Sequence, residues 1–150
     1  LEAIGTRLAA MDIDHGFYWG GAKQEALDQA AERHVILGTF DMASEGMDIP
    51  ALNTVILASP KSDVKQACGR ILRRTDHGVT PLIIDVVDDR ILSFKRVHNV
   101  RMKFYAKCGF HLELASGETR PLGPSPGAAS NNALRAKPAR APARGTYAFL

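Results

Sequence analysis

The sequence predicts an α/β fold built on a parallel sheet flanked by helices. HVILG (34–38), NTVILAS (53–59) and TPLIIDVV (80–87) are short, continuous apolar runs, the mark of strands buried on both faces. Between them lie segments whose apolar residues recur at helical spacing. Strands that alternate with helices need crossover connections and therefore run parallel.

Each element follows from its own pattern. Residues 1–11 set Ile4, Leu8 and Met11 on one helical stripe. A short extended segment around DHGFYWGG stops at Gly20–Gly21. KQEALDQAAER (23–33) reads as a helix burying Ala26, Leu27, Ala30 and Ala31. Residues 63–74 form another, with Ser62 as N-cap and Asp63 in the first turn, where a negative charge suits the helix dipole. Residues 89–108 continue as a long amphipathic helix with Ile91, Phe94, Val97 and Phe104 on one stripe. From residue 115 the composition turns to Ala, Pro, Gly, Ser, Asn and Arg, which cannot bury enough apolar surface to offset ordering entropy. The expected organisation is a domain over 1–114 with trailing helix 89–108, followed by a disordered basic tail over 115–150.

Composition narrows the class. A chain of 150 residues, 45% hydrophobic, can hold one domain with a core. Residues 1–114 carry 14 Lys+Arg against 15 Asp+Glu, whereas the tail carries Arg120, Arg135, Lys137, Arg140 and Arg144 against Glu118. The net charge of +3 therefore comes from the tail. Cys68 and Cys108 lie far apart, which excludes a zinc knuckle and a disulfide framework and fits a reducing, intracellular setting, cytoplasm or nucleus. The five histidines show no ligand spacing, so no metal site is expected. No apolar run reaches the length of about 18 residues that a membrane helix needs. The chain opens LEAIGTRLAAM, neither a signal peptide nor an initiator methionine, and reads as a piece of something longer.

QACGRILRR (66–74) carries the most chemistry. Val64, Ala67, Cys68, Ile71 and Leu72 form an apolar stripe, and Gln66, Arg70 and Arg73 form a second one with Gly69 beside them. A glycine inside a helix costs about 1 kcal/mol relative to Ala, so close approach of another backbone or a ligand is the usual reason for it. Clustered guanidinium groups need water or a shared anion. In an open parallel sheet ligands bind beyond the carboxyl ends of the strands. The loops Gly20–Gly21, Gly38-Thr39-Phe40 and Ser59-Pro60-Lys61 leave those ends, and TFDMASEGMDIP adds Glu45 and Asp48 to the same rim. Tyr18 and Trp19 offer rings for base stacking, with at least one of them expected in the core.

GTFDMASEGMDIPALNTVIL followed by QACGRILRR resembles motifs V and VI of superfamily 2 helicases and translocases, in their second, C-terminal RecA-like domain. YWGG (18–21) resembles the short motif that precedes them. The resemblance covers about residues 1–110 and implies a sheet of the P-loop NTPase type, here lacking the strand that opens such a domain. It implies that Arg70 and Arg73 are arginine fingers, catalytic toward ATP bound on a first RecA-like domain. It places Gln66, Gly46, Asp48 and Gly69 near that nucleotide, and Gly21, Gly38 and Thr39 on the nucleic-acid backbone. Arg74 lies beyond the motif and inherits no role.

ATP and Mg²⁺ are implied as well, both held mainly by a partner domain, because this sequence has no G-x-x-x-x-G-K-[ST] loop. DVVDDR (85–90) follows the last strand and does not sit where a magnesium-binding Asp-Glu pair belongs. These residues alone are therefore expected to be inactive as an ATPase. The implied partners are DNA or RNA, DNA being favoured, and an N-terminal RecA-like domain in cis or in trans, with no membrane. FYAKCGF (104–110) resembles a segment found after this domain in viral and phage-type DNA helicases, which admits a viral origin. Arg90, Lys95, Arg96, Arg101, Lys103 and Lys107 read as a solvated helix face. The alternative function is a non-catalytic nucleic-acid-binding module derived from a split or degenerate helicase.

Overall fold

The computed structural model describes residues 1–45, 47–72, 80–117, 119–121 and 146–149. The chain divides into two compact units, residues 1–86 together with 138–150, and residues 87–137.

In the first unit the chain runs α1 (Glu2–Ala10), β1 (His15–Tyr18), α2 (Gln24–Ala31), β2 (Val35–Gly38), α3 (Phe40–Glu45), β3 (Leu52–Leu57), α4 (Lys65–Ile71) and β4 (Leu82–Asp85). One further strand, β7 (Thr146–Phe149), completes a five-stranded sheet of order β1-β2-β7-β3-β4. Every neighbouring pair is parallel. The expected α/β architecture is present, and each of the four apolar or extended segments read from the sequence is a strand.

The centre of the sheet explains why those runs are apolar. All four residues of β2 are buried, as are five of the six in β3, with Ile36, Leu37, Val55 and Leu57 wholly enclosed. Edge strand β1 is held between two helices. A Cβ on Gly5 of α1 would stand 2.5 Å from the Phe17 ring tip, and one on Gly16 would stand 2.8 Å from Ala30 Cα of α2. Neighbouring strand residues point to opposite faces, so α1 and α2 cover opposite sides of β1. At the start of that strand Arg33 Nη1 donates to Asp14 Oδ1 at 2.9 Å, and the His34 backbone N–H donates to Asp14 Oδ2 at 3.2 Å.

Several expectations shift. Helix α4 begins at Lys65 with Val64 at the N-cap, not at Ser62; the Asp63 carboxylate instead accepts the Lys65 N–H at 3.3 Å. Val64 is 1% exposed, and the core's hold on it fixes the start of the helix better than a cap would. Strand β4 was expected to be buried on both faces, yet it lies at the sheet edge with Leu82 50% exposed. The tail was expected to carry no structure from 115 onward, but Thr119–Pro121 and Thr146–Phe149 are strands. Residues 122–145 lie outside the described residues.

In the second unit α5 (Leu92–Cys108) is followed by β5 (His111–Glu113), which pairs antiparallel with β6 (Thr119–Pro121). Gly109, at φ 71°, closes α5: its N–H donates to Ala106 O, and Phe110 N–H donates to Tyr105 O. This is a Schellman cap with its usual apolar contact, Tyr105 and Phe110 rings at 5.9 Å. Arg101, read as part of a solvated face, is only 2% exposed.

Two predictions follow from these contacts. Gly16→Ala drives a methyl into the backbone of α2 and costs about 1–3 kcal/mol, whereas Gly5→Ala meets only a ring tip and costs less; urea unfolding of both variants checks the order. The His34 N–H, and then Arg33, hold the Asp14 carboxyl below its usual 3.8. A depressed carboxylate adds stability above its unfolded pKa and loses it as pH falls through the folded one. The melting temperature of Asp14→Asn is therefore flatter below about pH 4 than that of the wild type.

Candidate functional site

Because the strands are parallel, β1, β2 and β3 deliver their carboxyl ends to one edge of the sheet. The segments that leave there are Trp19–Gly21, Thr39–Phe40 and Ala58–Lys61. This is the rim the sequence points to. Gly21 has φ 87°, a left-handed backbone that side chains rarely adopt, with open space where a Cβ would stand. Gly38 is the buried last residue of β2, and Thr39 follows it, half-buried. The Met42 N–H lies 3.5 Å from Thr39 Oγ1, which places the hydroxyl at the entry to α3.

A cavity of about 290 Å³ opens beyond β2 and β3, lined by Leu1, Ile4, Gly38, Thr39, Phe40, Ala58 and Ser59. It brings Gly38 and Thr39 together with the loop after β3. Across the same rim Lys61 Nζ pairs with Asp41 Oδ1 at 3.5 Å, which ties that loop to α3. Both groups are half-exposed or more, so this pair adds little stability and mainly sets orientation. Of the two rings expected to divide between core and surface, Tyr18 is buried, and Trp19 is 39% exposed and stacked on Phe17 at 5.5 Å.

The arginine helix, read over 63–74, is observed over Lys65–Ile71 with its apolar stripe enclosed, while Arg73 of the second stripe lies outside the described residues. Val64, Ala67, Cys68 and Ile71 are buried, and α4 packs on β3 and α3. Gln66 is exposed, with Arg70 one turn along the same side and half-buried. Arg70 Nη1 donates to the Met47 carbonyl. Met47 is 1% exposed, so its side chain pins the loop to the core while its backbone oxygen meets the guanidinium. Asp48, next in the chain, is exposed. Sequence reasoning missed Met47 because it holds the variable position in Glu-Gly-x-Asp. An apolar residue there, between two acids and a glycine, was the available signal.

Gly69 bears on the cost noted above. Among the described residues no atom outside its own helix lies within 4 Å of where its Cβ would be, so none of them calls for a glycine there. Arg73, Arg74 and Gly46 lie outside the described residues. Among the described residues no group of three His, Cys, Asp or Glu could hold a metal ion. No helix among them is long and apolar enough to cross a membrane.

Residues 15–75 match the helicase conserved C-terminal domain family. Over that span the chain is similar to the C-terminal domain of superfamily 2 helicases. Its matched span holds every candidate residue from Gly21 to Arg73 and excludes β4, α5 and β7. A protein of Acanthamoeba polyphaga mimivirus, provisionally named an ATP-dependent RNA helicase, is 42% identical over 98 residues, covering 65% of this chain and 19% of that protein. A protein of African swine fever virus with the same provisional description is 28% identical over 93 residues, 61% of this chain and 18% of the relative. The helicase domain thus spans about a fifth of the length of these curated relatives. No solved structure gives a significant match.

The joint between α4 and the Met47 loop has a measurable strength. Met47→Ala leaves a cavity under the loop and costs about 2–5 kcal/mol. Thermal unfolding of the purified chain checks it; a change within about 0.5 kcal/mol would mean that the loop is held elsewhere.

Proposed function

We propose that this chain is the second, RecA-like motor domain of a nucleic-acid-dependent ATPase. In this reading Arg70 of α4, and Arg73 after it in the sequence, serve the γ-phosphate of ATP carried, with Mg²⁺, by a separate ATP-binding domain. Gln66, Gly46, Asp48 and Gly69 lie against the nucleotide. Gly21, Gly38 and Thr39 contact the nucleic-acid backbone. The names of the viral relatives favour RNA as the track.

The observation that carries the proposal is the bond from Arg70 to the Met47 carbonyl. It joins the helix that would sense the phosphate to the loop that runs from the rim, so that a change at one end is felt at the other. A finger arginine stabilises charge spread over the transferring phosphoryl group, a task suited to its planar fork. The open space beside Gly69 among the described residues fits the same reading, in which a nucleotide or a partner surface comes close to that backbone.

In a protein where this chain follows its ATP-binding domain, Arg70→Ala is expected to lower nucleic-acid-stimulated ATP turnover by about 10³-fold or more. The dissociation constant for single-stranded RNA, read by fluorescence anisotropy, should stay within about twofold. An equal loss of binding and turnover would make Arg70 a structural tie only. Gly69→Ala separates stability from activity: the isolated chain gains about 0.5–1 kcal/mol in urea unfolding while the longer protein loses turnover. A variant that is more stable and fully active would remove the argument from Gly69.

A further inference from the structure

Edge strand β1 carries a run of rings up to the rim. His15, Phe17 and Trp19 alternate with Gly16 and the buried Tyr18, and therefore lie on one side of the chain. His15 and Phe17 meet edge to face at 5.8 Å, and Phe17 and Trp19 are stacked, 5.5 Å apart and 25° from parallel. The run is fixed at its foot and along its length. His15 Nδ1 donates to the Ile13 carbonyl at 2.9 Å, and the Phe17 ring tip is the atom that a Cβ on Gly5 of α1 would strike. Phe17 thus holds one face of the Trp19 indole, and the ring remains 39% exposed. The backbone beside it is equally placed. Ala22 N–H donates to the Trp19 carbonyl at 3.5 Å, closing a turn whose third residue is Gly21, where φ 87° suits glycine. A Cβ on Gly20 would stand 3.9 Å from Met42 Sδ in the first turn of α3, and the Met42 N–H faces Thr39 Oγ1. The indole, Gly21 and the entry to α3 are held in one neighbourhood.

We propose that Trp19 is a nucleobase platform: one base of a single-stranded RNA or DNA stacks on the indole face turned away from Phe17, while the sugar-phosphate beside it runs along Gly21 and Thr39. It rests on the track proposed above, in which those two residues meet the backbone, and adds to that track a contact with a base. Flat rings favour offset stacking, and an indole already held from beneath by Phe17 loses little freedom when a second ring lands on it. Every base has a π-face, so the contact is tolerant of sequence and strengthens the grip without reading the strand.

The chain has a single tryptophan, so its emission reports this ring alone. A base stacked on an indole quenches that emission. The full chain is titrated with an oligouridine of about ten nucleotides, with an oligothymidine of equal length, and with the same ribose-phosphate strand lacking its bases. Both base-bearing strands are expected to quench Trp19, and the abasic strand is not. By anisotropy of labelled strands, Trp19→Leu raises the dissociation constant for oligouridine about tenfold and leaves that for the abasic strand within about twofold. Trp19→Tyr, which keeps a π-face, stays within about threefold of the wild type. Equal loss of both strands in Trp19→Leu would reduce Trp19 to a structural ring and overturn the proposal. Base-bearing strands that bind with unchanged Trp19 emission overturn the platform alone and leave the motor reading in place. A wild-type chain that binds none of the strands overturns both. Should Trp19→Leu not fold, the wild-type emission decides on the same terms.

Discussion

A parallel sheet cannot be folded by hairpins, and that constraint governs the first unit. Each strand must hand the chain to a crossover at the same edge, so the loops after β1, β2 and β3 meet whether or not they share a task. Gly21, Gly38, Thr39 and Lys61 come from positions scattered over forty residues and arrive on one rim for this reason alone. Burial then adds direction. Met47 is drawn into the core, and its carbonyl accepts a hydrogen bond from Arg70 that ties the arginine helix to the loop between α3 and β3.

Much of this was legible before any coordinates, because periodicity and apolar runs report burial directly. HVILG and NTVILAS became strands enclosed on both faces, and the stripe Val64, Ala67, Cys68 and Ile71 became the buried side of α4. The failures have physical causes. Ser62 has the right chemistry for a cap, but burial of Val64 outweighed it and started the helix later. Arg101 shares α5 with Lys95, Arg96, Lys103 and Lys107, and charge alone does not reveal which one is enclosed. TYAF is made of strand-forming residues, but it is too short and too far from β2 and β3 for a local pattern to reveal its partners.

The site was less legible than the fold. Motif spacing located the rim and the arginine helix, but the tie between that helix and the loop before β3 is a backbone carbonyl, which no side-chain pattern encodes. Gly69 was identified by its cost, and among the described residues nothing outside its own helix crowds the place of its Cβ. The span that matches the helicase family holds the arginines and the rim loops but no phosphate-binding loop.

The central claim is that Arg70 recognises a γ-phosphate presented by another domain, and docking measures it most directly. Binding of this chain to the separately produced ATP-binding domain can be titrated with that domain loaded with a non-hydrolysable ATP analogue or with ADP. The account predicts docking about tenfold tighter with the analogue, the worth of one charge-assisted hydrogen bond, and no such difference for Arg70→Ala. Equal affinity for the two loaded forms in the wild-type chain would contradict it.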